Sequence, residues 1–202
     1  MTTDFSWLSR TGLLIGEQSL QILARSHVMI VGLGGVGSYA AEFIARSGVG
    51  RMTIIDGDVV DPTNRNRQLP ALSTNHGQYK AVIMEERIRA INPEVTLQAV
   101  QEFIQPERVL GLLASRPDYI IDAIDSITPK LNFIKAAYHS QTKFVSSMGA
   151  GAKLDLATIR GITPIMAAAG MGSGDADTRG YYTTEDTAQR SADTLKILID
   201  AG

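Results

Sequence analysis

The chain of 202 residues contains no cysteine. Disulfides, Cys-ligated zinc, thiol nucleophiles and thioester intermediates are therefore excluded from its own chemistry. It also lacks an excess of either charge: 19 Lys and Arg stand against 21 Asp and Glu, a formal net charge of −2. With the bulk charge so balanced, a polyanion would have to be held by a local basic patch. No apolar run is long enough to span a bilayer, which argues against a membrane partner. Met1-Thr2-Thr3-Asp4 lacks the charged-then-apolar layout of a signal peptide, so the expected location is cytoplasmic. What is present is an ordinary globular balance, 44% hydrophobic and 20% charged, in a length that suits one domain or one domain with an appendage.

The hydrophobic pattern alternates between two periods. Glu17 to Arg25 reads as a short amphipathic helix, and His27 to Leu33 is a continuous apolar run that ends in glycines. Such a run fits a strand buried on both faces of a parallel sheet. Tyr39, Ala40, Phe43 and Ile44 follow at helical spacing, and Met52 to Ile55 forms a second strand closing on Asp56. This is a β-α-β unit. Asp58 to Thr74 reads as loop, and Gln78 to Ile91 as a helix stopped by Asn92-Pro93. Strands over Thr96–Val100, Asp118–Ile124 and Lys143–Met148 alternate with helices from Pro106 and from Thr128-Pro129, read as an N-cap followed by proline. The expected fold is α/β: a Rossmann-like, doubly wound, mostly parallel sheet with helices on both faces. The expected division is residues 1–160 as the sheet-bearing domain and 161–202 as a separate C-terminal segment with one helix.

The loop Gly32-Leu33-Gly34-Gly35-Val36-Gly37 lies between the first strand and its helix. Glycine there permits a tight turn and lets backbone amides approach a phosphate, to which the helix N-terminus adds its dipole. Taken alone the pattern is weak. Asp56, about 20 residues on, stands where a carboxylate accepts hydrogen bonds from ribose hydroxyls. A dinucleotide needs little cationic help, yet Arg67 and Lys80 follow, the fixed cations that the outer phosphates of a triphosphate require. Their bland alternative is solvated surface charge. Asp125, at the end of a later strand, points to Mg²⁺ shared with phosphate oxygens, or else to a helix N-cap. Asp122, inside that strand, reads as structural.

His27, His76 and His139 carry no catalytic pattern. Ser146 and Ser147 lack a Ser-His-Asp context, and no Gly-x-Ser-x-Gly elbow exists. Covalent catalysis by the chain is unsupported. Besides an ATP-dependent enzyme, two readings stay open: a nicotinamide-dependent oxidoreductase, and a binding module that keeps the fold as scaffold.

Five segments in order carry a resemblance: Gly32 to Ser38, Ile55-Asp56-Gly57-Asp58, Asn64-Arg65-Asn66-Arg67-Gln68, Gly77-Gln78-Tyr79-Lys80 and Asp122-Ala123-Ile124-Asp125. Together they resemble the ubiquitin-activating-enzyme-like (ThiF/MoeB) adenylating proteins. Arg87 to Glu94, Asp118 to Ser126 and Ser146 to Gly151 are most similar to the tRNA threonylcarbamoyladenosine dehydratase family. The resemblance covers about residues 5–160 and implies an ATP- and Mg²⁺-dependent ligase-type enzyme that adenylates a carboxylate on tRNA. It implies nucleotide contacts from Gly32, Gly34, Gly35, Gly37, Asp56, Asp58, Asn64, Arg67, Gln68 and Lys80, with the metal on Asp125. It further implies a homodimer in which Arg10 reaches across to the partner's phosphate. Arg87, Arg89 and Arg108 are candidates for tRNA contact, or else solvated helix faces. Another substrate of the same chemistry would be the C-terminus of a small sulfur-carrier or ubiquitin-like protein. Gly161 to Gly202 does not follow the helix and strands with which the family continues.

Overall fold

Strand β1 (His27–Val31) is buried along its whole length, as an uncharged, β-branched run in the middle of a parallel sheet must be. The computed structural model describes residues 4–147. In chain order, α1 (Ser9–Ile15) and α2 (Glu17–Arg25) precede β1, and α3 (Gly37–Arg46) leads to β2 (Arg51–Ile55). Next come α4 (Lys80–Ile91), β3 (Thr96–Val100), α5 (Pro106–Leu113), β4 (Tyr119–Asp122), α6 (Ile127–His139) and β5 (Lys143–Ser146).

The five strands run parallel in the order β3-β2-β1-β4-β5. The chain winds outward from β1 to β3 and then returns to the other side of β1 through β4. The crevice between β1 and β4 is therefore the topological switch point, where doubly wound sheets bind ligands. Side chains of β1 alternate between two cores, as the period of a strand requires. Val28 and Ile30 pack with Ala41, Ala45, Met84 and Ile88 of α3 and α4. Met29 and Val31 pack with Val109, Leu113, Phe133 and Ala137 of α5 and α6. The expected helices on both faces of a parallel sheet are present.

Register brings the functional ends level. Val31 lies beside both Ile55 and Asp122, so Gly32, Asp56 and Ala123 leave the sheet side by side. The Gly32 N–H donates to Ile55 O at 2.8 Å, and the Ala123 N–H donates to Val31 O at 2.8 Å. Gly32 has φ +88°, and a Cβ there would sit 2.6 Å from Ala123 O. Only glycine allows the loop to turn this close to the end of β4.

Three local readings differ from the expectation. Helix α1 and the 3-10 turn Ser6–Leu8 before it were not foreseen. Leu8 is buried and packs against Gly48, a contact remote in sequence. Thr128 is not a cap: α6 begins at Ile127 with Ser126 as its N-cap, and Pro129 lies in the first turn, where its missing N–H costs little. The segment after Asp58 is more ordered than a plain loop. It contains the 3-10 turn Pro62–Asn66 and an antiparallel bridge between Val59 and Tyr79. Residues 1–147 make one compact unit; the expected boundary at 160/161 and the C-terminal helix lie outside the described residues.

Candidate functional site

The glycine loop is held from below by Asp56. One carboxylate oxygen accepts the Leu33 N–H at 2.6 Å, and the other accepts the Asp58 N–H at 2.7 Å. Burial nevertheless pushes the Asp56 carboxyl above its ordinary range, against the opposing pull of these two amides. Further donors, such as ribose hydroxyls, would favour its ionised form.

Lys80 continues the chain of contacts. Its Nζ lies 3.0 Å from Asp58 Oδ2, and its own N–H donates to Asp58 O at 3.0 Å. The Lys80 side chain is 5% exposed against 54% for Asp58. The bland reading of Lys80 as a solvated surface charge is therefore excluded. Its cation is fixed at the start of α4, and its partner Asp58 remains open to solvent. Engaging a phosphate from there would mean sharing or replacing that carboxylate.

The turn Pro62–Asn66 brings the second cation. Asp61 and Asn64 form a reciprocal cap, with the Asp61 N–H donating to Asn64 Oδ1 at 3.0 Å and the Thr63 N–H to Asp61 Oδ1 at 2.8 Å. Hydrogen bonds from Thr63 hold the Asp61 carboxyl below its ordinary range. Asn64 O also accepts the N–H groups of Arg67 and Gln68. Asn64 thus orders the turn and fixes the backbone from which the Arg67 and Gln68 side chains extend.

Those side chains meet the glycine loop. A Cβ placed on Gly35 would lie 3.6 Å from Arg67 Cγ, and one on Gly34 would lie 3.8 Å from Gln68 Nε2. The Arg67 guanidinium donates to Thr63 O at 3.2 Å and Asn66 Oδ1 at 2.8 Å, both neutral acceptors. Among the described residues it forms no ion pair. Gln68 Oε1 is buried without a hydrogen-bond partner, an orphan acceptor of the kind a bound ligand completes. An exposed cation bonded only to neutral groups, beside a glycine cradle and an orphan acceptor, fits a phosphorylated ligand.

Across the crevice, the two aspartates of Asp122-Ala123-Ile124-Asp125 part company. Asp122 is fully buried and ion-paired to Lys130, itself buried, at 2.6 Å. Its Oδ1 accepts the Ile124 N–H at 3.0 Å, and its Oδ2 also accepts Ser146 Oγ–H at 2.7 Å. The structural reading of Asp122 holds, and Lys130 is the partner that the sequence reading missed. Asp125 is exposed just outside the cap of α6, with one long hydrogen bond from Ser126 Oγ at 3.3 Å. No group of three or more His, Cys, Asp or Glu that could hold a metal exists among the described residues. Mg²⁺ does not need one, since it binds through one or two carboxylates with phosphate oxygens and water. Asp125 offers such a hard oxygen donor.

The structure does not bring Arg10 to this site. Arg10 is exposed on α1, two residues from Leu8, which packs at Gly48. Gly48 follows the far end of α3, whereas the glycine loop opens that helix. The three tRNA candidates are also committed elsewhere: Arg87 pairs with Glu42, Arg89 with Glu85 at 2.8 Å, and Arg108 with Glu102 at 3.1 Å. They read as neutralised helix-face charges. No helix of the described residues is long and apolar enough to cross a membrane.

Comparison with known proteins agrees with this fold. The ThiF family pattern matches residues 8–191, past Arg160, where the motif resemblance ends. The chain is 44% identical over 153 residues to the tRNA threonylcarbamoyladenosine dehydratase of Escherichia coli, covering 74% of this chain and 57% of that relative. It is 45% identical over 147 residues to the Bacillus subtilis protein of the same name, covering 73% and 58%. The chain thus spans under three-fifths of the length of these curated relatives. A solved structure of the E. coli dehydratase in complex with ATP superposes with a TM-score of 0.77 at 32% identity, covering all of this chain and 98% of that one. With the family pattern matching most of its length, the chain belongs to the ThiF family.

Proposed function

We propose that this chain uses ATP and Mg²⁺ to adenylate the free carboxylate of threonylcarbamoyladenosine in tRNA, so that the substrate cyclises with loss of water. The carboxylate oxygen attacks the α-phosphorus of ATP and pyrophosphate leaves. A carbamoyl nitrogen of the same substrate then attacks the activated acyl carbon and gives up its proton to solvent, closing a five-membered ring and releasing AMP. The nucleophile comes with the substrate, so the chain needs no thiol, in agreement with its lack of cysteine.

The residues divide the work. Backbone of the loop from Gly32 to Gly37 cradles the phosphates, and Asp56 takes the ribose hydroxyls. Arg67 and Lys80 stabilise charge developing on the departing phosphates, where preorganised cations lower the barrier most effectively. Gln68 Oε1 gains a donor, and Asn64 and Asp58 hold the two cations in place. Mg²⁺, held by Asp125 and phosphate oxygens, would neutralise the triphosphate and polarise the reacting phosphorus. The observation that carries the reading is the exposed Arg67, whose Cγ and Cδ lie at Gly35 and whose guanidinium has no carboxylate partner among the described residues. The names and ATP complex of the relatives support the substrate and the cofactor.

Incubating the protein with ATP, Mg²⁺ and tRNA carrying the open-ring base tests the proposal by mass spectrometry. The expected product has lost one water. If pyrophosphate is released only with another carboxylate, such as a small protein's C-terminus, the tRNA assignment is wrong and adenylation alone survives.

The proposed assembly is a homodimer in the cytoplasm. Arg10 lies away from its own chain's glycine loop, so only a partner's site gives it a phosphate to meet. Leu13 and Leu14 on the same helix are 82% and 86% exposed, an apolar surface that a second copy would cover. A monomer by sedimentation, with full activity in Arg10→Ala, would refute this arrangement.

A further inference from the structure

The described residues hold one fully enclosed ion pair, Lys130 with Asp122, and the reaction outlined above makes no use of it. Both side chains are almost entirely shielded from solvent. A buried pair is a poor device for stability alone, because the cost of desolvating two charges rivals their attraction. Its position is more informative. Asp122 is the last residue of β4, at the switch point, and Lys130 reaches it from the first turns of α6.

The two oxygens of Asp122 have different duties. Oδ1 accepts the Ile124 N–H and so shapes the loop that carries Asp125 one residue further on. Oδ2 is shared by Lys130 Nζ and Ser146 Oγ, which ties that loop to α6 and to the end of β5. The Asp122 O accepts the Ser147 N–H at 2.8 Å, adding a backbone tie to the same strand. Ala123, between the two aspartates, is the residue against which Gly32 packs. The glycine loop therefore rests on the residue next in sequence to this carboxylate.

We infer that Lys130 is a positioning residue of the nucleotide site. It neutralises Asp122 three residues from Asp125, leaving Asp125 as the uncompensated carboxylate that faces metal and phosphate. Through Asp122 it also fixes the loop that presents Asp125 to the glycine loop. The inference rests on the proposed adenylating function, deepens it, and concerns the rate of the step more than the grip on ATP.

The test compares wild type with Lys130→Met, Lys130→Arg and Ser146→Ala. Three quantities are read: ATP affinity by calorimetry, kcat and KM for ATP–pyrophosphate exchange with open-ring tRNA, and hydrogen exchange of the Ile124 amide. Misplacing a group by a fraction of an ångström to an ångström costs up to about a hundredfold in rate. Lys130→Met is expected to lose roughly tenfold to a hundredfold in kcat, while the KM for ATP stays within about threefold. Its Ile124 amide exchanges faster, and Lys130→Arg restores part of both losses. Ser146→Ala removes only one bond to Asp122 Oδ2 and keeps the ion pair, so it carries the test if Lys130→Met does not fold. It is expected to shift kcat and Ile124 exchange in the same direction by a smaller factor. A folded Lys130→Met with both within about twofold of wild type overturns the inference. So does an unfolded Lys130→Met together with an unchanged Ser146→Ala. A wild-type protein that binds no ATP overturns the proposed function instead, which keeps the two failures apart.

Discussion

Replacing Arg67 by Ala separates a phosphate contact from a structural one more cleanly than any other change at the site. The side chain is exposed and donates only to Thr63 O and Asn66 Oδ1, both within its own turn. Exposed bonds of this kind are worth little to the fold, so the expected stability loss is under about 1 kcal/mol. For a chain of this size that is a fall in Tm of at most about 2–4 °C. A charge-assisted bond to a phosphate is worth about 1.5–3 kcal/mol, or roughly a tenfold to hundredfold change in Kd. ATP should therefore bind that much more weakly to Arg67→Ala, while adenosine, which has no phosphate, binds as before. Calorimetric titration of both ligands, with a thermal melt of the same preparation, measures all three quantities. Raising the salt should weaken ATP binding less in the variant, because one exposed, screenable contact is gone. Equal losses for ATP and adenosine would mean that Arg67 does not touch phosphate. A Tm fall of ten degrees would mean that the turn itself had collapsed.

Gly32→Ala should lower Tm by several degrees and ATP affinity with it. Its φ of +88° and the contact with Ala123 O combine strain of about 1–3 kcal/mol with a forced shift of the crevice wall; a wild-type melting curve would refute the packing argument. Stability should also fall in mild acid through His27, whose pKa is lowered by burial first and by the Arg51 charge second. The unfolded chain takes up the proton near pH 6.5 and the folded one only at lower pH, so this contribution is complete above about 6.5 and is lost as pH falls through the folded value. Denaturant midpoints measured from pH 7.5 down to 5 should fall, with a shallower fall in His27→Gln; identical slopes for both proteins would acquit the histidine.

The central β-α-β unit was legible because its signals are local. A buried strand, a glycine turn, a helix and a strand-closing aspartate occupy 30 residues, and their order alone specifies the switch-point edge at β1. In the segment after Asp56, read as plain loop although Asp61 and Asn64 order it from neighbours, the cations Arg67 and Lys80 were legible. Features that depend on remote partners were not. Helix α1 gains its anchor from Leu8 against Gly48, and no spacing within residues 5–15 announces that contact. Arg87 looks free along its own helix, yet its carboxylate partner is Glu42, on α3. The same limit separates the two aspartates of one short motif. Asp122 falls in register beside Val31 at the centre of the sheet, so it must be buried and must find a cation. Asp125 lies three residues later, past the end of the strand, and stays in solvent. The strand boundary between them is readable from hydrophobicity. That the buried one is neutralised by Lys130 is not, because the lysine lies eight positions further on, past a turn and the entry to α6. The structural reading of Asp122 stands, but the lysine that completes it lies beyond the reach of local pattern.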